Sequence, residues 1–130
     1  MIQRFIELGE GYSDLYELIE LAQYNEPRML HFMAFHTVVK ERPVTSLAVV
    51  LKPAGESKFQ PLYICREGVP DPNHLPNKRY QLFDEAARAQ GREVIQMDVK
   101  PSSFFAEKEL YYQHLIAILR LNHFIPLYSS

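Results

Sequence analysis

The chain is short of the residues that announce a compartment, a cofactor or a reaction. It has one cysteine, Cys65, with no second thiol to pair with, so a reducing cytoplasm is the expected setting. No apolar run approaches the ~18 residues that a membrane span needs. The opening Met1-Ile2-Gln3-Arg4-Phe5 lacks the long apolar segment and small-residue cleavage site of a signal peptide. A soluble, intracellular protein is expected. Basic residues are not in excess: 14 Lys and Arg stand against 16 Asp and Glu, a formal net charge of -2. That argues against a protein whose main task is gripping a nucleic acid backbone. Gly9-Glu10-Gly11 is too poor in glycine for a phosphate loop, no lysine follows it, and acidic residues surround it. Internal repeats, low-complexity tracts and linkers are absent, so residues 1–130 read as a single domain.

What is present is a greasy centre. Leu30 to Val39, Val44 to Leu51 and Phe59 to Cys65 are three extended runs rich in β-branched and aromatic residues. The breaks between them, Glu41-Arg42-Pro43 and Pro53 to Lys58, are short enough to join antiparallel neighbours. In the first run Leu30, Phe32, Ala34, His36 and Val38 share one face, and His31, Met33, Phe35, Thr37 and Val39 the other. Both faces are largely apolar, which predicts a central strand covered on both sides. The two histidines then point oppositely and cannot ligate one metal. Pro61 removes a ladder donor, which predicts that its strand lies at an edge or bulges there.

Before the meander, alternation over Ile2 to Leu8 predicts a strand. A helix comes next with Ser13 as N-cap, Leu15, Leu18, Ile19 and Ala22 on its buried face, and Pro27 as its stop. After the meander comes the one long irregular stretch, Arg66 to Asn77, with three prolines. Asn77 caps a second helix with Tyr80, Phe83, Ala86 and Ala87 facing inward, and Gly91 closes it. Arg92 to Val99 is a further strand. From Pro101-Ser102-Ser103 a last helix runs to about Asn122. It is apolar around most of its circumference, which predicts a homodimer through Tyr111 to Leu121. Phe124 to Tyr128 either adds an edge strand or packs beneath that helix. The fold expected is α/β of the α+β type: strand, helix, three strands, helix, strand, helix. Its centre is a mixed, mostly antiparallel sheet of four to five strands with helices packed on it.

Charge is unevenly spread. Up to Glu26 one basic residue, Arg4, faces six acidic ones, whereas from Pro27 to Arg66 six basic residues face only Glu41 and Glu56. The plain reading is an acidic helix complementing a basic meander within the fold or across a dimer; the sharper one is a local anion-binding face. The residues that would build such a face are Arg66, His74, Lys78, Arg79 and Lys100, with the second helix's N-terminus adding amide donors. Crevices beyond strand ends are where open sheets bind ligands. A phosphate- or carboxylate-bearing small molecule has the best physical rationale, while a solvated loop with ordinary surface charges is the plainer alternative. His114 reads as an interface or core histidine, His123 as a helix C-terminal one, and Cys65 as a small buried hydrophobe. No nucleophile–base set can be assembled from spacing, and no metal or cofactor is expected.

The element order resembles restriction-endonuclease-like folds, and the chain contains Pro70-Asp71 followed by Asp98-Val99-Lys100. The resemblance implies two carboxylates on adjoining strands holding a divalent cation, with a lysine beside them. Val44 to Leu51 and Phe59 to Cys65, where that family carries its acids, contain no Asp or Glu, and a whole helix separates Asp71 from Asp98. The opening MIQRFIELGEGYSDLYELIE resembles the start of a small bacterial protein family of unknown function, which supplies no activity. Three functional classes stay open. First comes a non-enzymatic binding or regulatory protein, acting through a partner surface or a small anionic ligand. The second is a small enzyme using His74, Asp98 and Lys100 for acid–base work, and the third a divergent nucleic-acid protein.

Overall fold

The computed structural model describes residues 2–53 and 59–127. The elements keep the expected order: β1 (Ile2–Leu8), α1 (Tyr12–Tyr24), β2 (Met29–Val39), β3 (Arg42–Leu51), β4 (Phe59–Pro70), α2 (Lys78–Ala89), β5 (Ile95–Asp98) and α3 (Lys108–Leu121). They form one mixed five-stranded sheet in the order β1-β4-β3-β2-β5. The meander β2-β3-β4 is antiparallel, and each of its outer strands takes a parallel neighbour, β5 on β2 and β1 on β4. β3 alone runs against the other four.

The two apolar faces of the meander are both used. Phe32 and Ala34 of β2, with Leu47, Val49 and Leu51 of β3, pack under α1 and α2 through Leu15, Leu18, Ile19, Phe83 and Ala87. Met33 and Phe35, with Ala48, Val50, Leu62 and Ile64, pack under α3 through Tyr111, Tyr112, Leu115, Ile116 and Leu119. The sheet is therefore the middle of three layers. Phe124 and Ile125 pack beneath α3 in the second cluster and form no strand; Tyr128 lies outside the described residues, as does the β3–β4 connection from residue 54 to 58. Leu110 and Leu121 of α3 face outward.

Local chemistry explains where the boundaries differ from expectation. α1 begins before Ser13: Gly11 is its N-cap, and the Asp14 carboxylate turns back to accept from the Gly11 N–H at 3.0 Å. That carboxylate lies where a side chain at Gly9 would have to be. α2 starts after Asn77 as expected, with Asn77 Oδ1 accepting from the Tyr80 N–H at 2.8 Å, and Gly91 lies just past its end at φ +70°. β5 is shorter than expected at its start: the Arg92 N–H closes the end of α2 on the Ala87 carbonyl at 3.0 Å, and the Arg92 guanidinium donates to the carbonyls of Leu30 and Met29. α3 begins only at Lys108, since Ser102–Phe104 close into a separate 3-10 turn.

Pro61 departs from expectation: its strand is neither at an edge nor bulged there, but lies between β1 and β3. The next position beyond the Val50–Leu62 pair brings Leu51 opposite Pro61, which has no N–H to give. The Leu51 carbonyl instead accepts from the buried Gln60 side-chain amide at 3.0 Å, and Gln60 in turn accepts from Gln3 at 2.9 Å. Gln60→Leu should therefore strand the Leu51 carbonyl and lower stability by about 1–3 kcal/mol, read as a shifted urea midpoint with an unchanged slope.

Candidate functional site

β4 does not stop at Cys65. It runs to Pro70 by bulging: Thr45 pairs with Val69 but Leu47 with Cys65, so Arg66, Glu67 and Gly68 together face Ser46. Ser46 Oγ accepts from the Glu67 N–H at 2.8 Å, and Glu67 adopts φ +51°. Bulges of this kind re-aim a strand end. Here the bulge delivers Asp71 to the carboxyl ends of β2 and β5, its N–H donating to the Pro43 carbonyl at 3.1 Å. The irregular stretch is thus strand in its first half and a tight turn in its second. Asp71 Oδ1 accepts from the Asn73 N–H at 2.9 Å, and its carbonyl accepts from the N–H groups of His74 at 3.0 Å and Leu75 at 2.8 Å.

Beside Asp71 lies His36, also buried. Across the sheet it faces Thr45 on β3 and Asp98 on β5. Its Nδ1 is 2.7 Å from Thr45 Oγ1 and 3.6 Å from Asp71 Oδ2, and its Nε2 meets Gln96 Oε1. The orientation of Gln96 is set by its other partners. Its amide nitrogen donates to the Val94 carbonyl, which can only accept, at 3.2 Å, and to the Tyr80 hydroxyl at 2.6 Å. Oε1 must then face His36, so Nε2 carries the proton and Nδ1 faces the hydroxyl and the carboxylate. Tyr80 ionises above the ordinary tyrosine value, chiefly because it is buried, with the Gln96 hydrogen bond opposing the rise. His36 is a support: both ring nitrogens are engaged within the fold.

Over this support opens a cavity of about 420 Å3. Its polar wall is His74, Asp98 and Lys100, with His36 and Asp71 beneath, and Val38, Pro43, Val99 and Pro101 supply apolar surface. The Val99 N–H donates to the His36 carbonyl at 2.9 Å, which continues the β5 edge and carries Lys100 beyond the sheet. His74, Asp98 and Lys100 are all exposed. Among the described residues no ion pair or side-chain hydrogen bond engages any of them; Lys100 Nζ rests 4.3 Å from the Phe104 ring centroid.

The other expected cations stand elsewhere. Arg66 points to the α3 side of the sheet, where its Nη2 lies 3.3 Å from Glu7 Oε1, a carboxylate that Lys108 also reaches at 3.4 Å. Arg79 donates to the Gly68 carbonyl at 2.9 Å and covers the Tyr12 ring at 5.4 Å. Lys78 lines a separate cavity of about 390 Å3 with Asn77, Tyr80 and Asp84. Of the five cations proposed together, only His74 and Lys100 share one cavity.

Asp71, Asp98 and Lys100 do line a common wall, although a helix separates Asp71 from the others in sequence. They do not fit a divalent cation: one Asp71 oxygen serves the Asn73 N–H and the other faces His36. Among the described residues no three His, Cys, Asp or Glu side chains are placed to hold a metal ion. Cys65 is buried, with Sγ 3.6 Å from the Asp14 carbonyl; burial, then Asp14 and Glu17, push its thiol up to about 12. It is a packing residue at neutral pH. His114 lies tilted against Phe105, with ring centroids 5.0 Å apart. Among the described residues no helix is long and apolar enough to cross a membrane.

Residues 1–125 match a family described as Domain of unknown function (DUF7147), and the chain belongs to that family, in keeping with the resemblance of its opening residues. No curated protein and no solved structure matches the chain.

Proposed function

We propose, for this member of a family without an assigned activity, that the domain binds a small organic anion in the cavity over the carboxyl ends of β2 and β5. The supporting observation is that His74, Asp98 and Lys100 converge there, exposed and without polar partners among the described residues, above a support that fixes their surroundings. Lys100 and His74 receive the negative group; Asp98 accepts from a hydroxyl or amino hydrogen on the same molecule. Asp98 also limits the charge the site tolerates, which favours one carboxylate over a doubly charged phosphate. His36 and Asp71 take no part in contact with the ligand and keep the cavity floor rigid.

Thermal shift with lactate, glycerate and glycerol 3-phosphate tests this reading. The hydroxy acids should raise the melting temperature more than the phosphate does. Lys100→Ala should weaken binding about 10- to 100-fold, the loss of one charged hydrogen bond, while the unliganded protein melts where it did. Chemical conversion of a bound acid would replace the binding reading with the acid–base one. If none of the three probes moves the melting temperature, the site reading fails.

A further inference from the structure

The cavity that holds His74 and Lys100 has a neighbour. On the other side of Pro43 and His74, which line both, lies a second cavity of about 440 Å3. Its walls are Val44, Val69, Pro70 and Leu75, together with Gly68 backbone. Of its two charged residues, Arg42 is exposed, and Glu67 turns its carboxylate to the Ser102 N–H at 2.9 Å and hydroxyl at 3.2 Å. The space left is apolar. Two large apolar side chains flank the pair of cavities in the open, Leu75 at 59% and Val38 at 54% exposure. Leaving them wet is unfavourable, and an apolar ligand part lying along them removes that cost.

Pro43 and His74 line both cavities, and no side-chain hydrogen bond or ion pair holds the His74 imidazole among the described residues. The residue that meets the anionic head group therefore also borders the apolar side.

We infer that the ligand is amphipathic, a conclusion that rests on the organic-anion reading above. Its carboxylate lies between Lys100 and His74, and an unbranched hydrocarbon chain passes Pro43 into the cavity walled by Val44, Val69 and Leu75. The short acids that test the basic site would then be head groups of the true ligand class, medium-chain hydroxy acids.

Calorimetric titration with 2-hydroxybutanoate, 2-hydroxyhexanoate and 2-hydroxyoctanoate separates the two ideas. Each methylene that enters the second cavity should tighten binding about fourfold, so the longest acid should bind about two orders of magnitude more tightly than the shortest. Leu75→Asn, a neutral change at an exposed position, should leave the unliganded melting temperature alone while flattening the gain with length, read as the ratio of 2-hydroxyoctanoate to 2-hydroxybutanoate affinity within the variant. Binding of the shortest acid with no dependence on length overturns the amphipathic ligand and leaves the organic-anion site standing. A length gain that survives Leu75→Asn also overturns it, because the tail then lies elsewhere. Failure of all three acids to bind removes both.

Discussion

Between about pH 9 and pH 12 the domain should lose several kcal/mol of stability and unfold. Three acidic groups on the sheet's two faces produce this. Burial pushes the Cys65 thiol up to about 12 and the Tyr111 hydroxyl to about 12. Tyr112 rises too, from burial and then from the neighbouring Glu7 carboxylate. In the unfolded chain each ionises near its ordinary value, so above that value the unfolded state releases protons that the folded state still holds. The stabilisation is complete below the unfolded values and disappears as pH climbs toward the folded ones. At 1.36 kcal/mol per unit of difference, Cys65 and Tyr111 each contribute on the order of 2–4 kcal/mol. Together that approaches the whole stability of an ordinary domain, about 5–15 kcal/mol. Urea unfolding at stepped pH measures it, and Tyr111→Phe should visibly flatten the alkaline slope while the protein stays folded at neutral pH. A stability that holds level to pH 11.5 would contradict this account.

Truncating Phe83 should be the most damaging single change on the α1–α2 side. Phe83 is fully buried, and its ring meets Phe32 edge-on at 5.5 Å between centroids. Apart from it, α2 has only the small side chains Ala86 and Ala87 fully tucked in. Phe83→Ala should cost about 3–5 kcal/mol, transfer and cavity terms together, and lower the melting temperature by about 10–20 °C. The exposed neighbour Gln81→Ala should change it by no more than about 0.5 kcal/mol. Because α2 also carries Tyr80, which anchors Gln96 and through it His36, the Phe83 variant should lose ligand-induced stabilisation in addition. Equal melting temperatures for the two variants would mean that α2 is not held by this ring.

How the chain folds could be read largely from its periodicity. Phe32, Met33, Ala34 and Phe35 alternate without a polar break, and a strand of that kind has to be covered twice. The helices were equally legible, because Leu15, Leu18, Ile19 and Ala22, and later Phe83, Ala86 and Ala87, repeat at helical spacing. What stayed hidden depends on partners distant in sequence. Arg66-Glu67-Gly68 looks like the end of a strand, and only Ser46 across the sheet and Ser102 beyond it turn those residues into a bulge. Pro61 forbids an interior position until Gln60 supplies the missing donor. His74, Asp98 and Lys100 could be named as candidates from their place at element ends. The support below them could not: His36 sits in an apolar run, and nothing local ties it to Thr45, Asp71 or Gln96. Arg66 failed to join the group for the same kind of reason, since Glu7 lies next to it through the parallel pairing of β1 with β4. The turn was the one signal within reach, as Asp71-Pro72-Asn73 is suited to a carboxylate that caps its own chain.

That parallel pairing also bears on the order of assembly. Ile2 pairs with Phe59 and Leu8 with Cys65, so β1 finds its neighbour in the sheet more than fifty residues downstream. On the ribosome it emerges long before that neighbour exists, and closing so large a loop is slow compared with zipping the local hairpins. Until β4 arrives β1 has no strand to pair with, and Phe5 must wait longer still for the Tyr112 ring it stacks on at 5.2 Å. The nascent polypeptide therefore carries its first seven-residue strand as an unpaired passenger, the stretch a chaperone would most usefully shield.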